Sequence, residues 1–523
     1  MTENKSTSPK DNSEDISTYA DTLRIKAMHN LNPLKKEKWG QYFSSVILSR
    51  LMASMFQHSN GENIVILDAG AGVGSLFAAV VDTLLKLKEL PKTIHITAYE
   101  VDPLLCEYLQ KTIEFCAKRC SEAQVAFSSE IIPKDFIDDS VEKLAGALEK
   151  RPFNCIILNP PYGKIKTDSR VYHLLKASGL EATNYYSAFI MVAENLLMDG
   201  GEMIFITPRS FCNGPYFKKF RKTFLATMRL RRIHVFTSRT LSFQDEGVLQ
   251  ENIIIYSVKT NKSFRSVIIS SSGGPEAEEM TEMVVESNSV VLPNDPEMFI
   301  HIVPNEVGQQ IAEVMQKLKS SLSDIGLQVS TGKIIDFRLK DFLRNRSSPT
   351  TVPLIRPFNI SSGGFVRWPL PKAKKAAYLE ITPKTSSFLT LKGNYVLVKR
   401  FTTNEEKKRI VAAICETKRF AADKVAFENR INFFHTLGKG IEFTLAKGLT
   451  MFLNSTFVDS YFRQFSGHTQ VNATDLRSLH YPPRNVLIKL GIKTGNTFPS
   501  QKKLDQIVQQ ELGFVILPKK QIN

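Results

Sequence analysis

Residues 159–164 read Asn-Pro-Pro-Tyr-Gly-Lys and follow the strongly apolar run "FNCIIL". Two consecutive prolines forbid a helix, so the chain turns sharply where a buried strand ends. Such a corner offers the side-chain oxygen of Asn159, the carbonyl of Pro160 and the ring of Tyr162, with Pro161 fixing the turn. Two acceptors beside an aromatic face can clamp a flat, amino-bearing group. The plain alternative is an ordinary loop, for which Asn-Pro and Pro-Pro are common punctuation.

Three further constellations lie upstream. "LDAGAGVGSL" (67–76) places Asp68 and Ala69 before Gly70, Gly72 and Gly74. The glycines permit a tight turn and close backbone approach to a ligand, and the helix beginning near Ser75 points free N–H groups inward. Asp68 can meet an amino group or an ordered water. "YEVDP" (99–103) ends the next apolar run. There Glu100 can accept hydrogen bonds from both hydroxyls of a ribose, while Asp102 before Pro103 reads as a helix N-cap. "PKDFID" (133–138) offers Asp135 and Phe136 as an acceptor and a ring face for an adenine. Gly70 and Glu100 stand 30 residues apart, more than the ~20 of dinucleotide folds.

These motifs need elements to hold them. "NIVILDAG", "TIHITAYEVD", "FNCIILNPPYG" and "EMIFITP" read as strands, and "SLFAAVVDTLLKLKEL", "PLLCEYLQKTIEFCAKRC" and "YSAFIMVAENLL" as helices. Strand–helix alternation with short connections predicts a mostly parallel sheet covered on both faces. Such sheets bind ligands beyond the carboxyl ends of their strands, where all four constellations fall.

Charge divides the chain. Residues 1–300 carry 34 Lys+Arg against 36 Asp+Glu, and residues 301–523 carry 34 against 16, so the whole excess lies in the C-terminal part. A polyanion partner follows, because cations that neutralise phosphates release condensed counterions. Hydrophobic content of 42% and charged content of 23% are ordinary for a globular protein. The polar opening, the lack of an 18-residue apolar run and six cysteines without a CxxC pair imply a soluble cytosolic protein with reduced thiols and no metal site.

The order "GQYFSS" (40–45), "LDAGAGVGSL", "YEVDP", "KDF", "NPPYGK" resembles the motif series of S-adenosylmethionine-dependent DNA methyltransferases. The γ group of amino-methylating enzymes is the most similar, and within it the BsuBI/PstI-like modification methylases. The resemblance implies an α/β chain, with a Rossmann-like class I methyltransferase domain and a C-terminal α+β target recognition domain. Its divisions would be a polar, partly disordered arm (1–34), a catalytic domain (35–265), an exposed linker (266–300) and a basic DNA-recognition domain (301–523). It further implies S-adenosylmethionine held by Tyr42, Ser44, Asp68, Ala69, Gly70, Gly72, Gly74, Glu100, Asp135, Phe136 and Asn159. Where relatives often carry Thr-Pro, this chain has Ser44-Ser45.

The chemistry implied is methyl transfer to the N6 amino group of adenine in double-stranded DNA, catalysed by Asn159, Pro160, Pro161 and Tyr162. A ring-conjugated amine is a poor nucleophile, and acceptors aimed at its N–H bonds localise its lone pair and disperse the growing positive charge. The base must be flipped out of the duplex to reach them. Tyr162 would stack on one face of it and Phe243, in "RTLSFQDEGVLQENIIIY", on the other, unless that Phe folds into the core. Protection of bacterial DNA from a cognate restriction endonuclease is the implied role, the endonuclease being a functional partner. The alternative is a methyltransferase acting on RNA or on a protein glutamine amide. In the C-terminal part, "STGKIIDFR" and "FSGHTQVNATDLRSLHYP" resemble segments of target recognition domains. Gly467, His468, Thr469, Gln470 and Asn472 there read either as groups facing nucleic acid or as a capping loop.

Overall fold

The computed structural model describes residues 15–31, 43–57, 61–145, 152–236, 251–276, 279–361, 363–370, 373–403, 405–495 and 497–515. Two compact units emerge, Met1–Phe211 with Tyr216–Asn288, and Cys212–Pro215 with Ser289–Asn523.

Among the described residues the first unit is built on nine strands: β1 (Asn63–Ala69), β2 (Thr93–Tyr99), β3 (Ala126–Ile132), β4 (Phe153–Leu158), β5 (Leu197–Pro208), β6 (Met228–Phe236), β7 (Asn252–Lys259), β8 (Ser266–Ser272) and β9 (Met280–Glu286). They form one sheet in the order β3-β2-β1-β4-β5-β7-β6-β8-β9. Strands β3 to β5 run parallel, and β7 lies antiparallel to both β5 and β6. Because β2 and β3 extend the sheet one way from β1 and β4 and β5 the other, the order reverses between β1 and β4. Loops leaving adjacent carboxyl ends there diverge and open a crevice.

Local sequence explains the elements. β1 and β4 are near-continuous apolar runs, as strands covered on both faces must be. Asp102 caps the helix Pro103–Glu122, accepting from Leu104 N at 2.9 Å, and Pro103 occupies the first turn, where no amide is needed. The helix Ser75–Leu84 is buried around nearly its whole circumference, so it packs as a core helix.

Two expected divisions are corrected. Residues 1–34 contain a docked helix, Ile16–Asn30, whose Ile16 and Ala20 are completely buried in the core beside Leu48, Val80 and Leu84. Its N-terminus is met by Asp82, which accepts from Ile16 N at 3.1 Å, from Ser17 N at 2.8 Å and from the Ser17 hydroxyl. A buried acid facing the orphan donors of a helix start is a strong local tether. The expected linker 266–300 is likewise not a linker throughout: β8 pairs in parallel with β6, and β9 runs antiparallel beside β8. Strand β9 begins at Met280, and the first unit ends at Asn288.

The second unit carries a four-stranded sheet and a five-stranded one. The four-stranded sheet contains β10 (Gln328–Thr331), β11 (Asn394–Lys399), β12 (Ala412–Glu416) and β13 (Ile431–His435), in the order β10-β13-β11-β12. A helical layer covers it, including Phe443–Leu453, Thr456–Phe465 and Arg484–Lys493. Gly448 and Gly491 let two of these helices touch backbone to backbone, since a Cβ on Gly448 would lie 1.7 Å from the carbonyl oxygen of Leu487. The stretch "GLTMFLNSTFVDSYFRQFS" runs through two helices, separated at Asn454 and Ser455, where Ser455 caps the second. No helix among the described residues is long and apolar enough to cross a membrane.

Removing the Asp82 carboxylate strands the donors at the start of helix Ile16–Asn30. Asp82→Ala is expected to lower the unfolding free energy by about 3 kcal/mol in urea titration. It should also expose that helix to limited proteolysis ahead of the sheet.

Candidate active site

The crevice between the β1 and β4 ends is a cavity of about 650 Å³, a volume suited to a nucleoside-sized ligand. Its floor is the glycine loop after β1. Gly70 N and Ala71 N both donate to the Tyr99 carbonyl, at 3.0 and 2.8 Å, which lashes the loop to the end of β2. Gly72 adopts a φ of 59°, and a Cβ there would press on the Phe43 ring at 3.3 Å. Gly74 starts the helix at a φ of 89°, with Phe77 and Leu109 filling the space a side chain would need.

Glu100 is 5% exposed and is the brace between the two strand ends. One carboxylate oxygen accepts from Gly72 N at 2.9 Å, and the other from Val101 N and Asp102 N, each at 2.8 Å. Burial pushes its pKa up, while the backbone donors pull the other way. The oxygen facing Gly72 keeps a lone pair for a ligand hydroxyl.

Asp135 and Phe136 stand at the third strand's end. Asp135 Oδ1 accepts from Ile137 N and Asp138 N, at 2.9 and 3.0 Å, so one oxygen anchors the helix Phe136–Ala145 and the side chain is held in one orientation at the cavity wall. The Phe136 ring is wedged between Tyr99 and Phe189, with centroids 5.1 and 5.2 Å away.

The corner after β4 closes the cavity. Asn159 Nδ2 donates to Ser44 Oγ at 3.3 Å, which sets the amide's orientation. Tyr162 lines the wall and meets Tyr186 edge-on at 6.3 Å, and Tyr186 in turn stacks on Phe217 at 5.4 Å. The segment beyond is stitched to the start of helix Tyr185–Leu196. Tyr185 N donates to Gly163 O at 2.9 Å, and Ile165 N to Thr183 O at 2.9 Å.

Ser44, Gly70, Gly72, Glu100, Asp135, Phe136, Asn159, Pro161 and Tyr162 therefore share one cavity. Ala69, Gly74 and Pro160 are not part of its wall, and neither is Asp68. That aspartate, expected to meet a ligand amino group, is fully buried at the end of β1 and its oxygens meet no partner of ordinary hydrogen-bond geometry. Burial raises its pKa to about 8, with the Phe77 amide opposing and Glu100 adding to the rise. Tyr42 and Phe243 lie outside the described residues.

Several lining residues escaped the motif reading. Phe43 follows directly on Tyr42, and Tyr185 and Phe189 arrive on a helix whose apolar pattern looked like plain core. Only the pairing of segment 163–165 with 183–185 carries Tyr185 to the wall, where burial, then Asp135 and Asp138, push its phenol pKa up. Among the described residues no group of three His, Cys, Asp or Glu side chains is placed to hold a metal ion.

Comparison with known proteins bears on this arrangement. A family model described as Eco57I restriction-modification methylase matches residues 79–242. The type II methyltransferase M.PstI of Providencia stuartii is 43% identical over 497 residues, covering 95% of this chain and 97% of its own. The type II methyltransferase M.BsuBI of Bacillus subtilis is 39% identical over 474 residues, covering 89% and 92%. The chain belongs to the type II methyltransferases of restriction-modification systems. Among solved structures, the type IIG restriction endonuclease BpuSI aligns at a TM-score of 0.46 and 15% identity, over 95% of this chain and 66% of that one, a likeness too slight to argue from. As a type II methyltransferase the protein is a DNA-modifying enzyme, and the Eco57I match spans the structure from the helix after the glycine loop to the end of β6.

The buried Asp68 gives this type II methyltransferase a pH signature. An exposed aspartate ionises near 3.8, whereas Asp68 in the fold holds its proton to about 8. The folded chain thus keeps a proton that the unfolded chain releases, so this contribution to stability is fully present below pH 3.8 and is lost as pH rises through 8. Asp68→Asn, which does not titrate, is expected to match the wild type near pH 4. By pH 8 it should exceed it by on the order of a few kcal/mol in chemical denaturation. Parallel profiles would contradict a neutral buried carboxyl.

Proposed function

We propose that the cavity binds S-adenosylmethionine and that the enzyme methylates the N6 amino group of an adenine turned out of duplex DNA. The observation that carries this reading is the presence of Asn159 and Tyr162 in the same wall as the glycine loop, Glu100 and Asp135.

The residues fit the cofactor. The glycine loop leaves a cradle that a Cβ at Gly72 would begin to fill, Glu100 keeps acceptor capacity for a ribose, and Phe136 with Asp135 provides a ring and a carboxylate suited to an adenine. Bound there, the cofactor would supply an electrophilic methyl group. The protein's share is then to prepare the nucleophile. The Asn159 side-chain oxygen and the Pro160 carbonyl accept the two N–H bonds of the target amine, which draws its lone pair out of the ring and towards the methyl. Tyr162, supported from behind by Tyr186 and Phe217, presents a rigid face for the extruded base. No strong general base is required if the proton leaves after transfer. The cognate restriction endonuclease is a functional counterpart in this reading. An RNA or glutamine-amide substrate is disfavoured by family membership and by the large basic unit beyond residue 300.

Purified protein incubated with labelled S-adenosylmethionine and duplex DNA, RNA or a release factor should place label only in DNA, as N6-methyladenine. Label confined to RNA or protein, or found on cytosine, would overturn the assignment. Asn159→Ala should lower turnover by about two to three orders of magnitude while retaining cofactor affinity.

A further inference from the structure

One end of the four-stranded sheet in the second unit gathers four segments that are distant in sequence. β10 ends at Thr331 opposite Asn432 of β13, and β11 ends at Lys399 opposite Ile431. The segments 332–338, 400–403, 428–430 and 467–471 run on from this edge or lie against it, and backbone bonds stitch them together. Asn429 N donates to Ile334 O at 2.8 Å, Arg400 N to Arg430 O at 3.0 Å, Val471 N to Arg400 O at 2.7 Å, and Thr402 N to Thr469 O at 3.1 Å.

Beneath the cluster the bonds are short and buried. Arg356, 1% exposed, reaches both oxygens of Asp336 at 2.7 Å and also Glu428 at 3.3 Å. Arg409, fully buried, donates through Nη2 to the His468 carbonyl at 2.7 Å. Both acids within these segments, Asp336 and Glu428, are thereby paired with arginine, and Glu428 also accepts from Arg430 Nε at 2.6 Å.

The outward side is different. Phe337 is 79% and Phe401 46% exposed, and Lys333 and Thr469 face solvent. Between them Arg400 and Gln470 are half-buried: Arg400 makes only 3.3 Å bonds, to the Asn429 carbonyl and to Gln470 Oε1, its guanidinium lies over the Phe401 ring at 5.8 Å, and its Nε is buried without a partner. Gln470 lies on the strand-like bridge opposite Phe401. Rigid stems therefore carry an arginine and a glutamine side by side, under-bonded, on the unit that holds all of the chain's excess positive charge.

We infer that this sheet end is the surface that reads duplex DNA, with Arg400 and Gln470 as the base-edge readers. The inference rests on the DNA-adenine reading above. Arg and Gln are the side chains that address guanine O6/N7 and adenine N6/N7 bidentately, and their mutual bond sets them at a spacing that lets both enter one groove. Lys333 serves as a sequence-independent phosphate contact, and Phe401 packs against the DNA beside the pair.

The test is methylation of a random-sequence duplex library, read by sequencing the modified positions, with steady-state kinetics on the preferred site. Arg400→Ala and Gln470→Ala should each lower kcat/KM there by about ten- to a hundred-fold and relax sequence preference at one position. S-adenosylmethionine affinity and the thermal unfolding midpoint should stay unchanged, which separates a reading role from a structural one. Lys333→Ala should weaken all sequences alike and flatten the salt dependence. If both single variants keep the wild-type sequence profile and kcat/KM, the inference fails while the DNA-adenine reading stands. A wild-type protein that labels no DNA would overturn that reading and the inference with it.

Discussion

The carboxylate of Glu100 is the constraint on which the active-site half depends. Two neighbouring parallel strands end in loops that have no hydrogen-bonding ladder to define them. Glu100 supplies one: it collects the amide of Gly72 from the first loop and those of Val101 and Asp102 from its own. With the Tyr99 carbonyl taking the amides of Gly70 and Ala71, five backbone donors are fixed by two adjacent residues. The price of burying an acid is offset by three amide hydrogen bonds, which pull against the upward push of burial on its pKa. The arrangement places the glycine loop before any ligand arrives, so little ordering cost is left for binding.

The corner after β4 is held by different means. Its prolines remove the option of continuing the sheet, and its aromatic residue is braced by packing: Tyr162 against Tyr186, and Tyr186 against Phe217. Hydrogen bonds then tie the residues that follow to the start of the helix at Tyr185. Offset and edge-on rings resist displacement without demanding polar partners, a suitable support for a surface on which another ring would stack.

The sequence made the cavity's backbone legible, because glycines, prolines and an acid at strand ends carry positional meaning by themselves. The wall aromatics were not legible. Tyr185 and Phe189 follow the apolar periodicity of a core helix, and only the pairing of 163–165 with 183–185 turns one of them towards the ligand space. Asp68 misled for a related reason: an acid at a strand's end looks available, yet sheet and helix close over it. At the N-terminus the polar composition concealed a helix whose docking depends on Asp82, more than 60 residues away in sequence. The segment 266–300 was obscured by its polar, acidic composition, although "SVIIS" and "MVVE" lie in strands β8 and β9.

The second unit solves its positioning problem with buried ions. Arg356 and Arg409 are among the largest fully buried side chains of the protein, yet a buried ion pair contributes little net stability, since desolvation cancels most of the attraction. Well-packed apolar residues would stabilise the same volume at least as well. What they could not supply is direction: a guanidinium fixes the angle as well as the distance of each acceptor it holds. Arg356 orients the turn at Asp336 and the strand end at Glu428 together, and Arg409 orients the loop at His468. Loops that merely had to be stable would not need such anchors. Loops that must hold side chains in register with something outside the protein do.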